Sequence, residues 1–260
     1  MPALHSLLSA VESPGCEALS DGLLEEPVYA ITSLAFVIAA AWILLAAGRR
    51  RRAGVAPPAG QLAGHALLVA GVGVGSVIQH GPDPAWSDVA QDLPLLATLA
   101  FIAADAAADL TGRPRRWWWA VPTALLMPLV VAAPRPGDLA QVGVAGIAIG
   151  LTLVRAWRRP DLRRSVGWSL TLLAVGGIIG PLPRPNGPLC DPESIWQGHG
   201  VWHILAAAGL VALAPVIGSR RAVEAPLAAG APPSGHDPDQ AQGRHLNVQD
   251  AVAHLDRADD

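Results

Sequence analysis

Seven long apolar blocks, set apart by short polar connections, constrain this chain more than any other feature of its sequence. They fall at about 28–48, 61–80, 89–110, 117–133, 139–157, 165–183 and 197–218. A helix crosses the hydrocarbon core of a bilayer in roughly 20 residues. Each block is close to that length, although the fourth is short and the sixth is interrupted by Gly176, Gly177 and Gly180. No block alternates polar with apolar residues, and an open sheet would leave its edge unsatisfied in lipid. With 52% apolar and only 15% charged residues, the chain is too apolar for an ordinary soluble domain. The expected fold is all-α and integral to the membrane, a bundle of seven transmembrane helices.

Arginine sets the expected orientation, because the chain has no lysine. Arg49 to Arg52 follow span 1, Arg113, Arg115 and Arg116 follow span 3, and Arg155, Arg158, Arg159, Arg163 and Arg164 surround the connection of spans 5 and 6. Arg220 and Arg221 follow span 7, whereas the alternate connections carry only Arg135 and Arg184. Seven spans put every basic connection on one side, and the positive side is cytoplasmic. The N-terminus is then outside and the C-terminus in the cytoplasm. Trp117, Trp118 and Trp119 fall where an interfacial aromatic belt belongs. Three regions follow: 1–27, an extracytoplasmic segment without the pattern of a cleavable signal peptide; 28–221, the seven-helix domain; and 222–260, a disordered cytoplasmic tail rich in Ala, Pro, Gly, Asp and Gln. His236, His245 and His254 are scattered through that tail and read as solvated. No basic surface interleaved with aromatics suggests nucleic acid.

The residues that carry chemistry gather at the extracytoplasmic ends of the spans. Span 2 closes on Ser76 and His80, and span 7 opens on His199 and His203. Residues four apart share a helix face, so His199 and His203 point together, and Ser76 and His80 do the same. Asp92 begins span 3 from the same side, with Asp88 four residues earlier. Two histidines at i and i+4 plus a third from another helix form a trigonal base for zinc and leave the fourth position open. Zinc acidifies a bound water, a carboxylate can take its proton, and a hydroxyl such as Ser76 can hold that water or donate to an oxyanion. His65, about three turns from Ser76, reads as structural. Gly71, Gly73 and Gly75 read as helix packing rather than a nucleotide loop, since no strand precedes them. Asp105 and Asp109 are spaced to pair with Arg113 or Arg116.

On these motifs the chain resembles the alkaline ceramidase family, within the superfamily of seven-helix membrane hydrolases that also includes adiponectin-type receptors. The likeness lies in Gly75–Pro94, Cys16–Phe36 and Cys190–Leu205; the intervening spans match in hydropathy only. The resemblance implies a zinc-dependent hydrolase of a lipid amide. His80, His199 and His203 would bind the metal, Asp92 would be the general base, with Asp88 on the same helix face the alternative for that work, and Ser76 would support the oxyanion. It also places Glu17 and Glu26 in a region that helps bind calcium in the animal enzymes. The Asn positions that usually follow are here Tyr29 and Ser33, a departure from the calcium pattern. Glu26 also suits the role of acceptor to a zinc-bound histidine. Cys16 and Cys190, the two cysteines, both lie outside in this topology, where a disulfide is permitted, and the family has a similarly placed pair.

The expected substrate is therefore a ceramide-like or other N-acyl lipid reached from within the membrane, with no protein partner inferable. Heavy use of Ala, Gly, Pro and Arg points to a GC-rich bacterial genome, hence to a multi-pass protein of a bacterial cytoplasmic membrane with its site near the extracytoplasmic face. The alternative is a receptor or sensor that keeps a structural zinc site. A third reading, histidines that pair only with one another, predicts no metal at all.

Overall fold

The computed structural model describes residues 15–53, 59–113, 117–183 and 188–219. The expected tail at 222–260, its three histidines, and Arg115, Arg116, Arg184, Arg220 and Arg221 lie outside the described residues. The chain is all-helical, and no strand occurs among the described residues. Seven α-helices are described: α1 (Pro27–Arg52), α2 (Ala59–His80), α3 (Ser87–Thr111), α4 (Ala120–Ala132), α5 (Pro134–Arg158), α6 (Arg163–Ile179) and α7 (Gly198–Leu213). A 3-10 turn at Pro160–Leu162 joins α5 to α6.

Local chemistry explains several of the boundaries. Pro27 opens α1, where its missing N–H costs nothing. The Glu17 carboxylate accepts the N–H groups of Val28 and Tyr29 at 2.5 and 3.0 Å, so two donors of the first turn are satisfied from outside the helix. Arg49 to Arg52 fill the last turn of α1, complementing its dipole. Gly112, with φ 67°, ends α3 in the left-handed region. Pro94 lies inside α3, and the Thr98 hydroxyl donates to the Pro94 carbonyl at 2.7 Å.

Four of the helices, α1, α2, α3 and α5, contain stretches long and apolar enough to cross a membrane. α4 and α7 are apolar but shorter, and α6 has 17 residues. Apolar side chains line both surfaces of the bundle. Phe36, Ile43, Val69 and Leu210 are buried in its core, while Ile38, Leu67, Leu125 and Ile178 point outward and are largely exposed. A helix apolar all round belongs in a membrane or a large core, and these features are those of a multi-pass membrane protein.

The helices close into a ring. α1 packs on α2 and α7, α2 on α3, α3 on α5, and α6 on α7, with α5 and α6 completing the circuit beside their joining turn. α4 rests against α3 and α5. Small residues set the closest approaches. A Cβ at Gly71 would meet the Pro94 ring at 2.9 Å, and one at Gly75 would run into the backbone of Ala90 and Gln91, so α2 lies directly against α3. A Cβ at Gly73 would meet Phe36 at 2.9 Å and the Ser33 carbonyl at 3.1 Å, so α2 presses equally on α1. Gly176 and Gly180 make room for Trp202 of α7 in the same way. The glycines that interrupt the sixth apolar block are therefore its contact face.

At the end of the ring where α3, α5 and α7 finish, Arg155 is 1% exposed and is surrounded by acceptors. Its Nη1 meets Asp105 at 2.8 Å, its Nε meets Asp109 at 2.7 Å, and its Nη2 donates to the Ser219 carbonyl at 2.5 Å. Asp105 also accepts the Gly218 N–H, and Arg159 reaches Asp109 at 3.2 Å. The partners seen for the two aspartates are thus Arg155 and Arg159, rather than the Arg113 that local spacing suggested; Arg116 is outside the described residues. His65, fully buried, stacks on Phe101 and faces the Leu210 carbonyl at 3.3 Å. That carbonyl stands at the end of α7, where the Ala214 N–H turns to Val211 instead. His65 therefore serves as a cap on the last turn of α7, a structural role.

Candidate metal centre

The opposite end of the ring holds a cluster of imidazoles. α7 begins at Gly198, so His199 and His203 lie one turn apart on its first two turns, and His80 is the last residue of α2. One ring nitrogen from each of His80, His199 and His203 lies within 4.8 Å of the other two. Their ring centroids are 4.5 to 5.4 Å apart. His80 and His203 are 4% and 2% exposed, so these nitrogens meet with little water around them.

Two of the three rings have one nitrogen committed. His80 Nδ1 lies 2.5 Å from the Glu26 carboxylate, itself buried at the start of α1. A carboxylate accepts, so Nδ1 carries the proton and Nε2 is left with a lone pair. His80 Nε2 is buried and has no hydrogen-bond partner among the described residues. His203 Nδ1 faces two hydroxyls of α1, Thr32 at 3.1 Å and Ser33 at 3.2 Å. A buried polar atom without a partner is costly, and three converging imidazole nitrogens are the donor set of a borderline transition metal such as zinc. The residues therefore fit a metal ion. Calcium takes oxygen ligands, and this set has none.

The neighbouring side chains keep the cluster in place. Tyr29, fully buried on the first turn of α1, sets its ring edge-on to His80, His199 and His203 at centroid distances of 5.2, 4.8 and 6.4 Å. Its hydroxyl accepts the Cys16 N–H at 3.1 Å. Cys16 is disulfide-bonded to Cys190, joining the segment before α1 to the loop before α7. The side-chain amide of Gln197 donates to the carbonyls of Asp191 and Ser194 at 3.0 and 2.8 Å, which organises that loop just ahead of His199. Glu17, beside Cys16, is the α1 cap already described. Burial pushes its carboxyl up from the ordinary glutamate range, against the opposing pull of the Val28 and Tyr29 N–H groups.

The other expected site residues are placed as follows. Ser76 is buried one turn before His80, with its Oγ 2.7 Å from Ser33 Oγ. Asp92 is half-buried on α3 and hydrogen-bonds Gln141 of α5, with Asp88 and Asp138 nearby. It is not among the groups that close on one another with the three histidines. Asp88 is exposed and accepts from Gln79 at 3.0 Å. Glu17 and Glu26 both stand beside the cluster, one holding a helix end and one holding a histidine.

Of three further residues of the site, Thr32 was not named from sequence, and Tyr29 and Ser33 were named only as departures from the calcium pattern. The signal was present. Tyr29 is the only tyrosine in the chain, and these three are the only hydroxyl-bearing residues of α1, all within its first two turns.

Compared with known proteins, the chain matches no protein-family model and no curated protein.

Proposed function

We propose that the protein is a zinc-dependent membrane hydrolase that cleaves the amide bond of a ceramide-like or other N-acyl lipid. The observation that carries this reading is the convergence of three imidazoles with His80 Nε2 buried and without a partner among the described residues. His80, His199 and His203 would hold the ion. Zinc bound there would supply an acidic water and a Lewis acid for the amide carbonyl.

The protein's own residues do the rest. Glu26 holds His80 by Nδ1 and presents Nε2 to the ion. Tyr29 packs against all three rings and keeps bulk water from that side. Asp92 is the proton acceptor of this reading. The close approach of Gly75 to Ala90 and Gln91 brings the start of α3 level with Ser76 and the histidines, and Gln141 steadies the carboxyl. Glu17 and Glu26 are both engaged in building this centre, so calcium has no part in the proposal.

The same reading has all seven helices crossing the membrane. Successive helices alternate in direction along the chain, while the ring neighbours α3 and α5, and likewise α7 and α1, run in the same sense, so the arginine-rich ends Arg49 to Arg52, Arg155 and Arg158 lie at the end away from the histidines. The arginine end then faces the cytoplasm. The histidine end and its disulfide face outward, where an N-acyl lipid of the outer leaflet has its amide at headgroup depth.

Elemental analysis of the detergent-purified protein, followed by incubation with N-acyl lipids, tests this. About one zinc per chain, release of fatty acid, loss of release on chelation and its return with zinc are expected. Asp92→Asn should keep the metal and lose turnover. A protein that takes up no zinc, or one that hydrolyses lipid equally well after chelation, would sink the reading.

A further inference from the structure

The hydroxyl protons around His203 can be assigned one at a time, since each hydroxyl has a single proton to give. Ser33 Oγ lies 2.7 Å from the Tyr29 carbonyl oxygen. That oxygen has no proton, so the proton between them belongs to Ser33. Thr32 Oγ1 lies 2.7 Å from the Val28 carbonyl, and its proton is placed by the same reasoning. Both hydroxyl oxygens therefore turn lone pairs toward His203 Nδ1, at 3.1 and 3.2 Å. The Tyr29 backbone is a further hydrogen-bond partner of His203, so the proton that meets these acceptors sits on Nδ1 and Nε2 is left as the bare nitrogen. Ser33 Oγ also lies 2.7 Å from Ser76 Oγ. With the Ser33 proton already on Tyr29, the proton there comes from Ser76.

The geometry points to a hydroxyl relay, Ser76 to Ser33 to the Tyr29 carbonyl, that with Thr32 fixes the tautomer and ring angle of His203; Ser76 is a positioning residue of the metal centre. This rests on the reading that the three histidines hold a metal, and it alters that reading at one residue. The family likeness gives Ser76 the task of supporting an oxyanion. Its one proton is already used on Ser33, and both oxygens are buried. Glu26 does for His80 with a charge what Thr32 and Ser33 do for His203 with two neutral oxygens. Through the supports of His80 and His203 an ion held here would gain one carboxylate, Glu26.

The test is metal affinity of the full-length protein in detergent, measured by chelator competition with zinc, and the visible spectrum of the cobalt-substituted protein. Outer supports of this kind change metal affinity by about 10–100-fold. Ser33→Ala should weaken binding by about tenfold and shift the cobalt bands. Ser76→Ala should weaken it less, and the Ser33→Ala/Ser76→Ala double should bind no more weakly than Ser33→Ala alone, because the two act through one chain. Ser76→Thr, which keeps the hydroxyl, should restore affinity. Nitrogen-15 spectra of the histidines should show His203 protonated on Nδ1 in the wild type and a mixture of tautomers in Thr32→Val/Ser33→Ala. Wild-type affinity and cobalt spectrum in Ser76→Ala, with turnover lost, would overturn the relay while leaving the hydrolase standing. A wild-type protein that binds no metal would instead overturn the centre itself, and the relay with it.

Discussion

The two ends of this bundle each bury a polar cluster, and the clusters are built on opposite principles. At the arginine end, charge is balanced within the protein: the Arg155 guanidinium spends its N–H groups on Asp105, Asp109 and Ser219. At the histidine end, every Nδ1 contact that the structure shows goes to an acceptor, Glu26 for His80 and Thr32 with Ser33 for His203. Opposite them, His80 Nε2 has no hydrogen-bond partner among the described residues. Buried polar groups are ordinarily satisfied, and the Arg155 cluster shows this chain doing so. At the histidine end three imidazoles converge that could hold a metal ion. What sets the histidine end apart is that its partnerless nitrogen converges with two further imidazoles, which the other buried atoms without a partner among the described residues do not.

The largest effect that could break this contrast comes from the ligands themselves. His199→Ala with His203→Ala should abolish metal binding altogether, from about one ion per chain to none by elemental analysis, while leaving the helix content intact. Retention of the metal would show that it sits elsewhere. Next in size is the arginine end. Removing one partner of a buried ion pair costs about 3–5 kcal/mol, because the other charge is left uncompensated. Arg155→Met should therefore lower thermal stability in detergent by that order, and Asp105→Asn with Asp109→Asn added should recover part of it. Metal content per folded chain should stay at the wild-type level. If Arg155→Met strips the metal without unfolding the protein, the two ends are coupled and the contrast fails.

How far the sequence foretold these two ends differs in an instructive way. Each of the seven apolar blocks coincides with a helix, because a run of apolar residues of that length leaves the backbone few other ways to satisfy its N–H and C=O groups in lipid. The block at 197–218 was read too long. α7 stops at Leu213, and the chain then turns so that Gly218, at φ 73°, brings its N–H onto Asp105. The histidines were legible because a spacing of four defines a face within one helix. The partners of Asp105 and Asp109 were not: Arg155 stands 50 and 46 residues away, and nothing in a spacing tells which helix lies across the ring. Thr32 and Ser33 were hidden for the same reason, 171 and 170 residues from His203. Ser33 and Tyr29 had been noticed only for not being asparagine, when their own chemistry is what the centre uses.

A smaller effect sharpens the histidine end. Glu26→Gln keeps the size of the side chain and removes its charge, so His80 Nδ1 would still find an acceptor but a weaker one. Metal affinity should fall by about 10–100-fold, with the ion still bound at saturating zinc. Glu26→Ala should do worse, because it also leaves His80 Nδ1 without its carboxylate in a buried site. Equal affinity in Glu26→Gln and wild type would mean that the carboxylate serves the fold alone.

The smallest effect concerns Glu17, which supports the histidine end one step further out. Its carboxylate takes the Val28 and Tyr29 N–H groups, and Tyr29 in turn lies against all three histidines. Loss of a helix cap costs about 1 kcal/mol, so Glu17→Ala should lower stability by that order. Glu17→Gln, which keeps an acceptor oxygen, should lower it less. The pH dependence carries the sign of the burial. The folded carboxyl is raised above its ordinary value, so just above that value the folded chain keeps a proton that the unfolded chain has lost. The contribution of Glu17 to stability then falls as pH rises through that window, and it should be read as the difference in slope between the wild type and Glu17→Gln. Melting temperatures between about pH 4 and pH 6, where an unperturbed glutamate finishes titrating, would show it. A difference of the opposite sign would mean that the two N–H bonds outweigh the burial, and that the cap is held by charge.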